Sequence, residues 1–119
     1  MLTKQNISPF AAGDTPTIKI TITADAPPAF DPSGATGSWT LYTSVSGVIT
    51  VKLTKSTSDA CSFQTDVDGS VSLWVPLIEA DTSTLPAGQY LHTAKVVEAN
   101  GGRFHVMTGS VTILAVPDA

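Results

Sequence analysis

Asp81-Thr82-Ser83-Thr84-Leu85-Pro86-Ala87-Gly88-Gln89-Tyr90-Leu91-His92 decides the fold of this chain. A turn built on Pro86 and Gly88 runs straight into an alternating segment, Tyr90, His92, Ala94 and Val96, which is the period of a strand with one buried face. A tyrosine just past such a bend can turn its hydroxyl back to the backbone a few residues upstream, pinning a corner between two sheets. Tyr90 holds that place, and Gly88 supplies a backbone position where positive φ is expected. Gly88 and Tyr90 are therefore read as a structural corner.

The flanking segments extend the pattern. Ile18, Ile20 and Ile22 alternate with Lys19, Thr21 and Thr23, a half-buried strand. Residues 26–34 carry Pro27, Pro28 and Pro32, which cannot donate to a ladder, so they form a loop. A second strand sets Trp39 and Leu41 against Ser38, Thr40 and Tyr42. After a turn at Ser46-Gly47, residues 48–54 read as a third strand with Ile49, Val51 and Leu53 inward. A short strand around Cys61 and Phe63 leads to Asp68-Gly69, a tight-hairpin pair, and then to Val71, Leu73 and Val75 facing in. Residues 77–84 have room for one helical turn. Strands over residues 89–98 and 103–114 complete the list, joined at Asn100-Gly101-Gly102, where two turn centres fit equally well.

Seven short strands with regular turn signals predict an all-β, immunoglobulin-like antiparallel sandwich over residues 14–119. Residues 1–13 show no period and read as an irregular N-terminal arm. Position 92, where antibody domains place their second cysteine, is His, so an antibody-type disulfide is excluded.

Bulk properties narrow the function. At 119 residues the chain is one domain, long enough to bury roughly two-thirds of its unfolded surface. Only 13% of residues are charged, well below the roughly 25% of ordinary soluble domains, and Ser and Thr supply the polarity instead. A net charge of -4 with six scattered Lys and Arg residues argues against nucleic acid. The lone Cys61 rules out an internal disulfide and multi-cysteine zinc sites, and reads as a small buried hydrophobe. The longest apolar run, residues 73–78, is too short to span a bilayer, and no signal-type leader opens the sequence. A cytoplasmic start and no membrane partner are expected.

Chemistry-bearing constellations are scarce. His92 and His105 fall on neighbouring strands, yet nothing is spaced to supply a third metal ligand. No Gly-x-Ser-x-Gly elbow exists, and the aspartates lie in turns, where bonding to local backbone accounts for them. Asp66-x-Asp68-Gly69 lacks the remaining ligands of a calcium loop. No catalytic, cofactor or metal residues are assigned. Trp74 falls on the polar side of its strand, and Ile7 and Phe10 sit in an arm with no core of its own. These three are the interface candidates, because tryptophan is enriched at hot spots and exposed apolar arms call for a cover.

Four groups of residues carry a resemblance: Gly13-Asp14-Thr15 before the Ile-rich strand, Ser33-Gly34-Ala35-Thr36-x-x-Trp39-x-Leu41, Asp68-Gly69-Ser70-Val71, and Asp81-Thr82-x-x-Leu85-x-Ala87-Gly88-x-Tyr90. In this order they resemble the N-terminal domain of the upper baseplate protein family of siphophages. The resemblance covers most of residues 13–114. It implies an immunoglobulin-like sandwich that mounts on a tailed-phage virion and binds other virion proteins as a homo-oligomer, without enzymatic activity. Tail, baseplate and capsid decoration are all open as its place on the virion. The sequence departs from that family in lacking the long receptor-binding extension. A carbohydrate- or receptor-binding module is the alternative, with Trp39, Trp74, Tyr42 and Tyr90 as stacking candidates. The arm reading predicts that removing residues 2–12 leaves a folded domain with weakened assembly.

Overall fold

The computed structural model describes residues 3–4, 7, 9–22, 33–58, 61–65, 71–99 and 101–114. In chain order they form β1 (Thr3–Lys4), β2 (Phe10–Ala11), β3 (Thr17–Ile22), β4 (Thr36–Val45), β5 (Val48–Ser56), β6 (Ser62–Thr65), β7 (Val71–Pro76), the single turn α1 (Glu79–Thr82), β8 (Gly88–Val97) and β9 (Arg103–Leu114). The large sheet runs β1-β9-β8-β4-β5, with β2 also on β9, and the small sheet runs β3-β7-β6. All pairings are antiparallel except those of β1 and β2 with β9, which are parallel. The chain is an all-β sandwich with the strand order of an immunoglobulin-like fold. Its first strand has left the small sheet for the far edge of the large one.

Burial follows the alternation. Ile18, Ile20 and Ile22 are buried while Thr17, Lys19 and Thr21 are exposed. Trp39 and Leu41 of β4, Val71, Leu73 and Val75 of β7, Ala94 and Val96 of β8, and Met107, Val111 and Ile113 of β9 meet them between the sheets. Each large aliphatic side chain withdrawn this way stabilises the fold by about 1.5–3 kcal/mol before entropy is counted. Cys61 is buried and unbridged, as its apolar reading requires.

Two expectations are corrected. The N-terminal arm is not irregular throughout: it lays two short ladders along β9, and Ile7 N–H donates to the Ser110 carbonyl at 3.1 Å. Phe10 is 6% exposed within the domain's own core, and Ile7 packs against that core. These two are therefore core residues of this chain rather than free interface anchors; Leu2 lies outside the described residues.

The second correction concerns the inward reading of Ile49 and Val51, which are 65% and 57% exposed. Leu41 pairs with Leu53, but Tyr42 pairs with Val51, so Lys52 is an extra residue, a bulge. A one-residue slip flips every side chain beyond it to the other face. Leu53 stays partly buried, whereas Val51 and Ile49 turn to the outer face beside Tyr42 and Ser44.

The last hairpin closes on Glu98 and Gly102. Glu98 N–H donates to Gly102 O at 2.8 Å, Gly101 N–H donates to Glu98 O at 2.9 Å, and Gly101 has φ +91°. That register pairs Lys95 with His105. The Asp66–Ser70 hairpin turn lies outside the described residues.

Candidate functional site

Among the described residues, the turn and polar positions at 13–14 and 81–90 serve the construction of the fold. Tyr90 Oη donates to the Pro86 carbonyl at 2.6 Å, four residues upstream, and burial pushes its phenol above the ordinary value. Gly88 opens β8 at φ +147°, in the region that disfavours a Cβ. Thr82 Oγ1 donates to Asp14 O at 2.7 Å and accepts from Gly13 N–H at 3.0 Å, so α1 holds the turn that leads into β3. Asp81 accepts from Ile78 N–H at 3.0 Å, starting α1, and pairs with Lys55 of β5 at 3.3 Å across the open side of the sandwich. Leu85 is buried.

His92 is fully buried on β8. Trp39 Nε1–H donates to its Nδ1 at 3.3 Å, and the rings lie 6.2 Å apart at 48°. An accepting Nδ1 places the neutral ring's proton on Nε2. The pair occupies the place where antibody domains pack a tryptophan on their disulfide. The His92 and His105 backbones are not register partners: His92 pairs with Gly109. The His105 side chain lies outside the described residues. Among the described residues no group of three or more His, Cys, Asp or Glu side chains is arranged to hold a metal ion. Nor is any described helix long and apolar enough to cross a membrane.

Trp74 lies on the outer face of the small sheet, register partner of Lys19 and Ser62. The Lys19 ammonium stands 5.7 Å from its ring centroid, a cation–π distance, and the indole is only partly exposed. It is thus partly spent on its own sheet. Trp39 and Tyr90 are buried, which leaves Tyr42, half-buried on the other sheet, as the remaining aromatic of the four stacking candidates.

The surface that stands out was not singled out by the sequence. The β4–β5 hairpin turns through Ser46 (φ +51°) and Gly47 (φ +80°), two consecutive positive-φ residues of the kind a two-residue hairpin needs. β4 pairs with β8 only as far as Tyr42 and Leu91. Beyond that point the hairpin leaves β8, and a groove lined by Thr43, Ser44, Val45, Gln89, Leu91 and Ser110 opens between them. Val45 and Val48 pair on one face of the projecting ribbon and are 69% and 65% exposed. Ile49 and Val51 are on the other face, continuous with Leu91. One signal was available: Val48 and Ile49 are adjacent apolar residues, which strict alternation in a half-buried strand does not allow.

None of the described strands of either sheet contains Asp or Glu, although the chain has ten. β4, β5, β8 and β9 carry Lys52, Lys55, Lys95 and Arg103. The described carboxylates, Asp14, Glu79, Asp81 and Glu98, lie in connecting segments and α1. A binding surface on this sheet is therefore apolar to weakly basic on an acidic protein.

The chain matches no protein-family model and no curated protein. Among solved structures it is similar to CopC from Methylosinus trichosporium OB3b, at 14% identity, over 92% of this chain and 82% of that one, with a TM-score of 0.39. A likeness at that level carries no functional argument.

Proposed function

We propose that this protein is a non-enzymatic structural component of a tailed-bacteriophage virion, holding its place by binding other virion proteins through the large sheet. The observation that carries the binding role is the projecting β4–β5 hairpin, whose Val45, Val48, Ile49 and Val51 are all more than half exposed. Clustered apolar exposure on one element of a domain marks a surface that something covers. The viral setting rests on the resemblance to the siphophage upper baseplate family in turns and core. In that reading the sandwich is a mounting block, and tail, baseplate and capsid are all candidate seats. The carbohydrate-binding alternative loses its support with Trp39 and Tyr90 in the core, since a stacking platform needs aromatics exposed together.

The test is co-purification. Particles banded on a density gradient from a producing culture and probed with antibody to this chain should carry it at a fixed ratio to a capsid protein. Its confinement to the soluble fraction, in a culture that yields complete particles, would overturn the viral role.

A further inference from the structure

Among the described residues no strand pairs with the outer side of β5, so it is the edge strand of the described sheet, with the Ser56 carbonyl at its end accepting from Cys61 N–H at 3.2 Å. Native sheets protect such edges with charges, prolines, bulges or covering segments. The β9 edge is covered by β1 and β2. On β5 the protection is partial: the bulge at Lys52 shifts the register on one side and the Ser46-Gly47 turn ends the ladder on the other. Between them, residues 48–51 form an unprotected segment that is apolar at three of four positions.

We infer that this segment docks against the same segment of a second copy, joining two large sheets edge to edge about a twofold axis. The inference deepens the binding role proposed above and rests on it. Three features favour a copy over another occupant. The first is charge. Each chain is acidic overall, yet β4 and β5 contain no Asp or Glu and Asp81, the carboxylate that reaches β5, is neutralised there by Lys55, so the strands themselves bring no unpaired negative charge to a meeting of two copies. The second is area. The exposed parts of Val45, Val48, Ile49, Val51 and Leu91 offer on the order of 300 Å² of apolar surface, against about 800 Å² that a stable interface takes from each partner. On each copy the backbone edge of β5 and the polar side chains beside it add to that apolar patch. The third is register. A twofold normal to the sheet must place some residue opposite itself, because paired side chains share a face. With Thr50 on the axis, Ile49 of each copy lies opposite Val51 of the other, and Lys52 lies opposite Val48 rather than a second lysine. Because the arm covers the opposite edge, pairing through β5 stops at two copies instead of propagating.

Charge reversal on the axis tests this in the isolated full chain by sedimentation equilibrium. Thr50 is exposed, so Thr50→Lys and Thr50→Glu should keep the far-UV spectrum and thermal midpoint of the parent. Each alone should raise the dimer dissociation constant at least about tenfold, since like charges then face each other. An equimolar mixture of the two should recover dimers, now heterodimers. A parent that stays monomeric at millimolar concentration overturns the inference, as do variants that dimerise like the parent. Variants that are monomeric alone and remain so when mixed overturn the twofold register. None of these results bears on co-purification with particles, so the two proposals fail separately.

Discussion

The two edges of the large sheet are built from similar material and finished in opposite ways. At the β9 edge the chain supplies its own cover: residues 3–4 and 10–11 add parallel ladders, and Phe10 plugs the core. At the β5 edge the chain supplies a bulge, two lysines and three exposed aliphatic side chains, with Val45 of β4 beside them. Apolar residues in a segment without clear period thus turn out buried, and apolar residues in a segment with good period turn out exposed. Composition alone does not separate a core contribution from an interface. What separates them is whether the sandwich has a second layer at that point. The small sheet has three strands of four to six residues and cannot cover large-sheet strands of nine to twelve.

The sharpest way to break the comparison is at the covered edge. Phe10→Ala should destabilise the domain by about 3–5 kcal/mol, the usual loss for truncating a buried phenylalanine. Deleting residues 2–12 should cost at least as much, through Phe10, Ile7 and the ladder to β9. Chemical denaturation reads both. A deletion variant with the parent's midpoint would restore the separable arm that the sequence suggested, and the two edges would then be alike.

Those outcomes also mark what the sequence could express. Period-2 alternation at Ile18-Ile20-Ile22, Val71-Leu73-Val75 and Ala94-Val96 fixes strands locally, and the Pro86–Tyr90 corner fixes how two sheets join; both were legible. The arm was not, because a two-residue ladder has no period to detect and its parallel partner, β9, is about a hundred residues away. The exposed face of β5 was hidden for a different reason. A bulge is one extra residue in the pairing, invisible in a single strand, and it inverts the inward assignments between it and the hairpin turn. The Trp39–His92 contact was half visible: Trp39 was expected to face in, but its bond to His92 depends on the register of β4 with β8.

The seam between the edges, where β8 begins, should give intermediate effects. Gly88 sits at φ +147° with open space where a Cβ would go, so any penalty is conformational rather than steric. Gly88→Val should lose about 1–2 kcal/mol and exceed Gln89→Val, whose position is exposed and carries a Cβ already. The reverse order in thermal melts would put the corner's strain elsewhere.

Tyr90→Phe should lose about 1 kcal/mol, the hydroxyl's bond to Pro86 O, while keeping the ring. It should also change the alkaline limb of stability. Burial raises the folded phenol above the unfolded value, so the unfolded chain releases its proton first. This contribution is whole below the unfolded value near 10 and is lost as pH rises toward the folded one. The parent should therefore lose stability above about pH 10 more steeply than Tyr90→Phe. Parallel alkaline limbs would mean that Tyr90 ionises as freely in the fold as out of it.

The smallest effect belongs to the open edge, and it is the one that defines that edge. Ile49 is 65% exposed on the outer face, three residues before the bulge at Lys52. Ile49→Thr keeps β-branching and strand preference, and it removes a methyl-rich surface that already meets water for most of its area. Its folding stability should stay within about 0.5 kcal/mol of the parent, the range for surface positions with no special geometry. The same change in β3, Ile20→Thr, buries an unpaired hydroxyl in a 1% exposed site and should cost several times more. If Ile49→Thr were as damaging as Ile20→Thr in the monomer, the bulge would be misplaced and β5 would be a core strand after all. If it were neutral for folding while lowering self-association, the apolar side chains of β5 would be held there for what they touch in a neighbour.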